Sequence, residues 1–144
     1  MSVSLTATNT LRITRVSNIK VESPTVKTFT FADKLCAKAK PGQFLMLWIP
    51  GVDEIPLSIM DTEGSSVSVS VKAVGEATRA LHGMKIGEML GLRGPFGSFF
   101  TENHGSILMV GGGTGVAPLL FLAKNLSAKA KRLMLVIGAK TKSE

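Results

Sequence analysis

Apolar residues recur at every second position through most of the first hundred residues, and the period then lengthens. Residues 1–9 are polar and are expected to be loose. Leu11 and Ile13 alternate with polar neighbours, and Val16, Ile19 and Val21 follow after a shift, which predicts a long or bulged strand over 11–21. Lys27, Phe29 and Phe31 alternate with Val26, Thr28 and Thr30 in a second strand. A third runs over 44–49, between the turns at Pro41-Gly42 and Pro50-Gly51. A short fourth, over 55–60, stops before a turn at Thr62-Glu63-Gly64. Val67, Val69 and Val71 alternate with Ser68, Ser70 and Lys72, the mark of a half-buried strand. Ala77, Ala80, Leu81 and Met84 share one face of a helix over 75–84, and a last strand over 87–92 closes at Gly94-Pro95-Phe96-Gly97. About six short strands with turns at short intervals predict a small antiparallel barrel.

From Ser106 the pattern becomes strand, helix, strand. Ile107-Leu108-Met109-Val110 runs into Gly111-Gly112-Gly113-Thr114-Gly115, a helix follows over 116–130, and a second apolar strand covers 133–138. The chain therefore divides into a six-stranded antiparallel barrel, residues 1–102, and an incomplete nucleotide-binding βαβ, residues 103–144, joined by a loop near 100–105. Both late strands are continuous apolar runs, the pattern of strands buried on two faces, yet two parallel strands cannot bury both faces by themselves. The expectation is a first βαβ without its remainder: a fragment, a truncated product or one part of a split assembly. The open edge of 133–138 could pair with a second copy in a homodimer.

The glycine cluster carries the candidate chemistry. A strand, a tight turn and a helix start place backbone N–H groups at the positive end of a helix dipole, where a phosphate can sit. Gly111, Gly112, Gly113, Thr114 and Gly115 let a nucleotide backbone approach, and Pro118 is tolerated in the first helical turn because its missing N–H is unpaired there. The spacing Gly113-x-Gly115-x-x-Pro118 differs from the usual dinucleotide G-x-G-x-x-G, so a glycine turn of purely structural use stays open.

Composition narrows the field. The chain has 144 residues, 44% hydrophobic and 19% charged, ordinary for a globular protein. Cys36 is the single cysteine, so no internal disulfide and no four-cysteine metal site forms from this chain. His82 and His104 lie too far apart to suggest a metal pair. Residues 1–10 lack the apolar core of a signal peptide, and no run approaches a membrane span, which leaves the cytoplasm as the expected compartment and no membrane partner. The net charge is +7, with Lys124, Lys129, Lys131, Arg132, Lys140 and Lys142 in a window that holds no acid before Glu144. A solvated helix face and polar loop explain that window; no aromatic pattern accompanies it, so nucleic acid is not an expected partner.

Pro41-Gly42-Gln43-Phe44, Ile55-Pro56-Leu57-Ser58-Ile59, the stretch from Lys72 to Thr78, Gly94-Pro95-Phe96-Gly97 and Gly111 to Pro118 occur together in one order. With these segments, from about Leu11 to Lys142, the chain resembles the ferredoxin–NADP reductase superfamily, and within it the family of dihydroorotate dehydrogenase electron-transfer subunits. The resemblance implies FAD held between barrel and nucleotide module, with NAD(P) delivered to it. Ile55, Pro56, Leu57 and Ser58 would lie beside the isoalloxazine ring, Ser58 near its reactive edge. Val71, Lys72 and Ala73 would approach the ribityl and phosphate region. Gly75, Ala77 and Thr78 would open a helix onto the pyrophosphate. Each residue also has a structural reading: Ser58 bonded to backbone, Gly75 and Thr78 as a helix start, Lys72 as a solvated strand residue.

The chain departs from the superfamily at Ile55, where many members carry an arginine that pairs with the pyrophosphate, and at Leu57, where they carry an aromatic that stacks on the ring. Lys72 or Arg79 could supply the missing charge. The family's [2Fe–2S] centre needs cysteines this chain lacks. Gly138-Ala139-Lys140-Thr141 stands where an acidic residue would hold a ribose hydroxyl, and Lys140 could favour a 2′-phosphate. The implied function is electron transfer between a nicotinamide and a flavin and iron–sulfur relay, supporting a catalytic subunit that oxidises dihydroorotate to orotate in pyrimidine synthesis. No catalytic side chain is expected, and the chain alone is expected to lack full activity. The alternatives are a reductase subunit of a hydrogenase or ferredoxin:NAD(P) complex, and a non-catalytic interaction module that has lost flavin.

Overall fold

A computed structural model describes residues 5–101 and 105–140. Six strands close an antiparallel barrel in the order β1-β2-β5-β4-β3-β6. They are β1 (Arg12–Ser23), β2 (Val26–Ala32), β3 (Phe44–Ile49), β4 (Asp53–Glu63), β5 (Ser66–Lys72) and β6 (Met89–Phe96). The ring closes where Arg12 to Arg15 of β1 pair with Leu92 to Met89 of β6. Alternation sends Phe29, Phe31, Leu45, Leu47, Val67 and Leu92 inward, each fully buried. The bulge expected in β1 lies between Val16 and Asn18, with a second irregularity near its end.

Several elements differ from the pattern. Residues 5–9, expected to be loose, form a one-turn helix, α1 (Leu5–Asn9). Its polar residues are what hold it: the Thr8 and Thr10 hydroxyls donate to the Leu5 and Thr6 carbonyls, and Arg12 donates to Ala7 and Thr10. Strand β4 passes through the expected turn at 62–64, because an irregularity between Ile59 and Asp61 restores pairing of Thr62 and Glu63 with β5. The turn moves to Gly64 and Ser65. Strand β6 continues through Gly94-Pro95, so that Phe96 pairs with Phe44.

Helix α2 (Glu76–Gly83) follows β5 and buries Leu81 in the barrel cluster. Beyond the barrel, β7 (Ser106–Gly112) and β8 (Arg132–Gly138) pair in parallel, joined by a 3-10 turn over Gly113–Gly115 and α3 (Val116–Leu126). The helix stops short of the expected end at 130: Ser127 donates its hydroxyl to the Lys124 carbonyl, and Lys129 and Ala130 turn back onto the Leu126 carbonyl. Ile107, Met109, Leu133 and Leu135 pack under Leu119, Leu122 and Leu126 of α3. As expected of two parallel strands without further layers, the sheet buries one face. Leu108, Val110, Met134 and Val136 form a second face that remains 41–69% exposed, because among the described residues α3 packs on the opposite face.

Helix α3 is apolar nearly all round because it serves two surfaces. One side covers the β7–β8 sheet, and from the other Phe121 enters the barrel cluster, 3% exposed. Lys124 on the same side pairs with Asp61 of β4.

Candidate functional site

The barrel wall parts along the β4–β5 seam. Between β4 and β5 pairing begins at Ile59 and Val69 and proceeds toward Glu63 and Ser66, whereas Asp53 to Ser58 pair with β3, and Ser70 to Lys72 pair with β2. The strands thus part between Pro56-Leu57-Ser58 and Ser70-Val71-Lys72. Helix α2 lies over this split. His82 Nε2 sits 2.8 Å from the Val71 carbonyl; a carbonyl only accepts, so the imidazole carries its proton on Nε2. Lys27 donates to the His82 carbonyl at 2.8 Å, fixing the helix end from β2.

Strand alternation divides the sequence-derived flavin residues. Pro56 and Ser58 point outward and are exposed. Ile55 and Leu57 are half-buried and pack against the barrel cluster, as do Ala77 and Ala80 of α2. The four therefore do not share one surface, and the positions that in the superfamily carry arginine and an aromatic here pack inward. Val71 is buried in the core, while Lys72 and Ala73 are half-exposed at the strand end, and the Ala73 N–H is taken by the Thr25 carbonyl.

Gly75 caps α2. The Thr78 hydroxyl accepts from the Val74 and Gly75 N–H groups, both at 2.9 Å, and donates to the Gly75 carbonyl at 3.1 Å. A hydroxyl has one proton and two acceptor sites, so the Thr78 side chain is fully used within the cap. What the helix start offers a ligand is backbone: the N–H groups of Glu76, Ala77 and Thr78 precede the first intrahelical bond, from Arg79 to Gly75. Gly75 has open space where a Cβ would stand. Arg79 is exposed on the same helix.

The glycine cluster also has two distinct uses. A Cβ on Gly111 would meet Leu119 Cδ1 at 2.8 Å and Val116 Cγ2 at 3.1 Å, so this glycine lets α3 lie close on β7. Gly112 approaches the Gly138 carbonyl of β8. Gly113 takes a positive φ of 54° with nothing within 4 Å of a built Cβ, and Gly115 is likewise open. Thr114 is exposed beside them, and Pro118 lies in the first turn of α3 as expected.

Between this turn and the outer face of the barrel lies a cleft of about 350 Å³. Lys72, Gly113 and Thr114 line it together, so residues from the barrel and from the glycine turn, far apart in sequence, meet there; Pro56, Ser58, Gly75 and Thr78 lie outside its lining. Met60, Val116, Ala117 and Leu120 give it an apolar side. The polar side contains residues that sequence reasoning missed: Lys20, Glu22, Thr28 and Ser70. Cross-strand register aligns three of them, Lys20 opposite Thr28 and Thr28 opposite Ser70. Glu22 accepts from Lys20 at 2.9 Å and from Thr28 at 2.8 Å. The Lys20 hydrogen bond, helped by Thr28, holds the Glu22 carboxyl below the usual range despite partial burial.

Asp33 and Cys36 serve the fold. Asp33 is buried and receives Arg12 through both oxygens, at 2.7 and 3.0 Å, and the Cys36 N–H at 2.7 Å. Burial pushes its carboxyl up, but the Arg12 and backbone hydrogen bonds outweigh it and the net shift is downward. Burial pushes the Cys36 thiol up to about 12, so it stays protonated and inert. This sole cysteine does not fit an iron–sulfur cluster. Among the described residues no group of three His, Cys, Asp or Glu could hold a metal ion, and no helix is long and apolar enough to cross a membrane. His104 and Lys142 lie outside the described residues. Lys124 forms the pair with Asp61, so it is not part of a free basic window.

No family model matches the chain. Among curated proteins it is 42% identical over 132 residues to a probable dihydroorotate dehydrogenase B (NAD(+)) electron transfer subunit of Methanocaldococcus jannaschii, covering 92% of this chain and 49% of that one. It is 41% identical over 128 residues to the subunit of the same description in Archaeoglobus fulgidus, covering 89% and 52%. The chain belongs to the dihydroorotate dehydrogenase B electron-transfer subunits of the ferredoxin reductase superfamily. It spans about half the length of the curated relatives it matches. A solved chain of an NADH-dependent reduced ferredoxin–NADP oxidoreductase superposes with a TM-score of 0.83 at 30% identity, covering 92% of this chain and 50% of that one. The ferredoxin reductase of carbazole 1,9a-dioxygenase shares the fold with a TM-score of 0.84 at 21% identity, over 93% of this chain and 44% of that one. These relatives share the barrel with the attached βαβ, which places the split and the cleft in the part of the superfamily fold that this chain contains.

Proposed function

We propose that this chain is the flavin-holding part of an electron-transfer subunit of the dihydroorotate dehydrogenase B type, passing electrons between NAD(P) and a redox partner. The observation that carries the reading is the meeting of Lys72 with Gly113 and Thr114 at one cleft. A flavin nucleotide fits the donor set: an apolar wall for a ring, cations and a helix start for phosphate, and glycines whose missing Cβ leaves open space.

On this reading residues 1–102 form the FAD domain and residues 103–144 the first part of the NAD(P) domain. Ser58 and Pro56 present the outer edge of β4 at the split, with the Ser58 hydroxyl as donor or acceptor. Lys72 neutralises phosphate charge, and the N–H groups of Glu76, Ala77 and Thr78 donate to it. Gly113 to Gly115 keep the approach to the cleft flat. Ile55 and Leu57 set the barrel wall behind the site, and Lys72 with Arg79 takes over the charge carried elsewhere by arginine. A bound flavin converts a two-electron hydride exchange with NAD(P) into single-electron steps; the chain's own groups bind, orient and exclude water.

The partner in this reading is a catalytic subunit that oxidises dihydroorotate to orotate in the cytoplasm, and the iron–sulfur relay lies on residues outside this chain. The 30% identity with the NADH-dependent ferredoxin–NADP oxidoreductase favours a second reading, a subunit of a ferredoxin-linked complex on the same flavin site. Absorption of the purified chain tests the site. Yellow protein that releases FAD on denaturation supports it, with slow bleaching by NADH. Colourless protein that takes up no added FAD sinks it.

A further inference from the structure

The far end of the cleft has a chemistry of its own. Glu22 and Lys20 on β1, Thr28 on β2 and Ser70 on β5 line it, brought side by side by strand register. Thr28 is 6% exposed, and its one proton is committed to the Glu22 carboxylate. Each Glu22 oxygen holds one donor, Thr28 on one and Lys20 on the other. A carboxylate offers about four acceptor sites, so half of that capacity is unspent. Thr28, its proton used, likewise offers only acceptor capacity. The Glu22 and Thr28 oxygens therefore accept from donors, hydroxyl or N–H, while the Lys20 ammonium balances the carboxylate's charge.

Lys72 lines the same cleft from β5. Lys72 pairs with Val26, two residues along β2 from Thr28, or about 7 Å at the strand rise. That is the order of distance between a hydroxyl and the terminal phosphate of a five-carbon sugar or sugar alcohol. We propose that Glu22, held in place by Lys20 and Thr28, accepts hydrogen bonds from the polyol hydroxyls of the bound nucleotide and sets the cleft's preference for a ribityl- or ribose-bearing ligand. The inference rests on the flavin-site reading and deepens it. The shared chemistry is a five-carbon polyol; the ribityl chain of a flavin and the ribose of a nicotinamide nucleotide are its two sources.

The test compares riboflavin with lumiflavin, which has the same ring and no ribityl chain, by quenching of flavin fluorescence on the purified chain and on Glu22→Gln. Losing charge assistance at the carboxylate weakens riboflavin binding about tenfold, while lumiflavin binding stays within about twofold. Thr28→Val, which removes the bond that aims the carboxylate, reproduces the selective loss. Both variants are checked for an unchanged melting temperature. Equal weakening of both flavins, or no weakening of either, overturns the inference and leaves the flavin reading intact. If the wild-type chain binds neither flavin, the flavin reading fails, and reduced nicotinamide mononucleotide against its N-methyl analogue, which lacks ribose, decides the subsite. Selective loss of the mononucleotide in Glu22→Gln then assigns it to ribose. Equal loss, no loss, or no binding of either by the wild type overturns it.

Discussion

Lys124 on α3 reaches both carboxylate oxygens of Asp61 on β4, at 2.8 and 2.9 Å, and so bridges the βαβ unit and the barrel across the same helix that sends Phe121 into the barrel cluster. The two contacts differ in kind. The ion pair is exposed, so Lys124→Ala costs less than about 1 kcal/mol and its effect fades with salt. Phe121→Ala removes a ring that is 3% exposed and costs about 3–4 kcal/mol, independent of salt. Urea unfolding followed by Trp48, the single tryptophan, at low and high ionic strength separates them. A larger loss from Lys124→Ala than from Phe121→Ala contradicts this account of the docking.

The Arg12–Asp33 pair sets an acid limit on stability. Asp33 has a folded carboxyl below its usual range, with burial opposing and the Arg12 and Cys36 hydrogen bonds prevailing. A depressed folded value means the unfolded chain binds more protons, so the contribution is present above the unfolded carboxylate value of about 3.9 and is lost as pH falls through the folded value. Asp33→Asn removes that acid dependence and costs about 2 kcal/mol at neutral pH, because Arg12 loses a charged partner while it still donates to the Gly94 carbonyl. Urea midpoints from pH 7 down to pH 2 test this. Parallel curves for wild type and Asp33→Asn below pH 4 disprove the assignment.

How far the sequence could be read follows from whether the signal is local. Val67, Val69 and Val71 face inward because alternation alone fixes them, as helical spacing fixes α2 and apolar runs beside a glycine cluster fix the late βαβ. Strand β4 is longer than its local pattern because Thr62 and Glu63 owe their pairing to an irregularity near Ile59, which no local pattern encodes. Lys20, Glu22, Thr28 and Ser70 each look like solvated strand positions until register places them in one row. Family resemblance marked Ile55 and Leu57 by position, but their inward packing follows from alternation around the outward Pro56 and Ser58.

The glycines of the strand–helix turn separate packing from ligand approach. Gly111→Ala drives a Cβ to 2.8 Å from Leu119 and costs about 1–3 kcal/mol as α3 lifts from β7. Gly113→Ala meets no atom but must adopt φ 54°, a strain of about 1 kcal/mol. Flavin binding therefore suffers more in Gly113→Ala than its small stability loss accounts for. In Gly111→Ala the two losses track one another. Thermal melts with and without added FAD measure both. Equal ligand-induced stabilisation in Gly113→Ala and wild type excludes Gly113 from the ligand's path.

The outer face of the β7–β8 sheet yields the last prediction. Val110 and Val136 are 69% and 53% exposed there, whereas Leu122, on the helix covering the other face, is 6% exposed. Threonine keeps a β-branched shape, so Val110→Thr and Val136→Thr change stability by no more than about 0.5 kcal/mol. Leu122→Ala costs about 2–4 kcal/mol. A loss above about 1 kcal/mol from the threonine pair means that the purified protein covers this face with another molecule. A second copy is then recognised because the melting temperature rises with protein concentration, and an unchanged melting temperature across a hundredfold dilution rules that copy out.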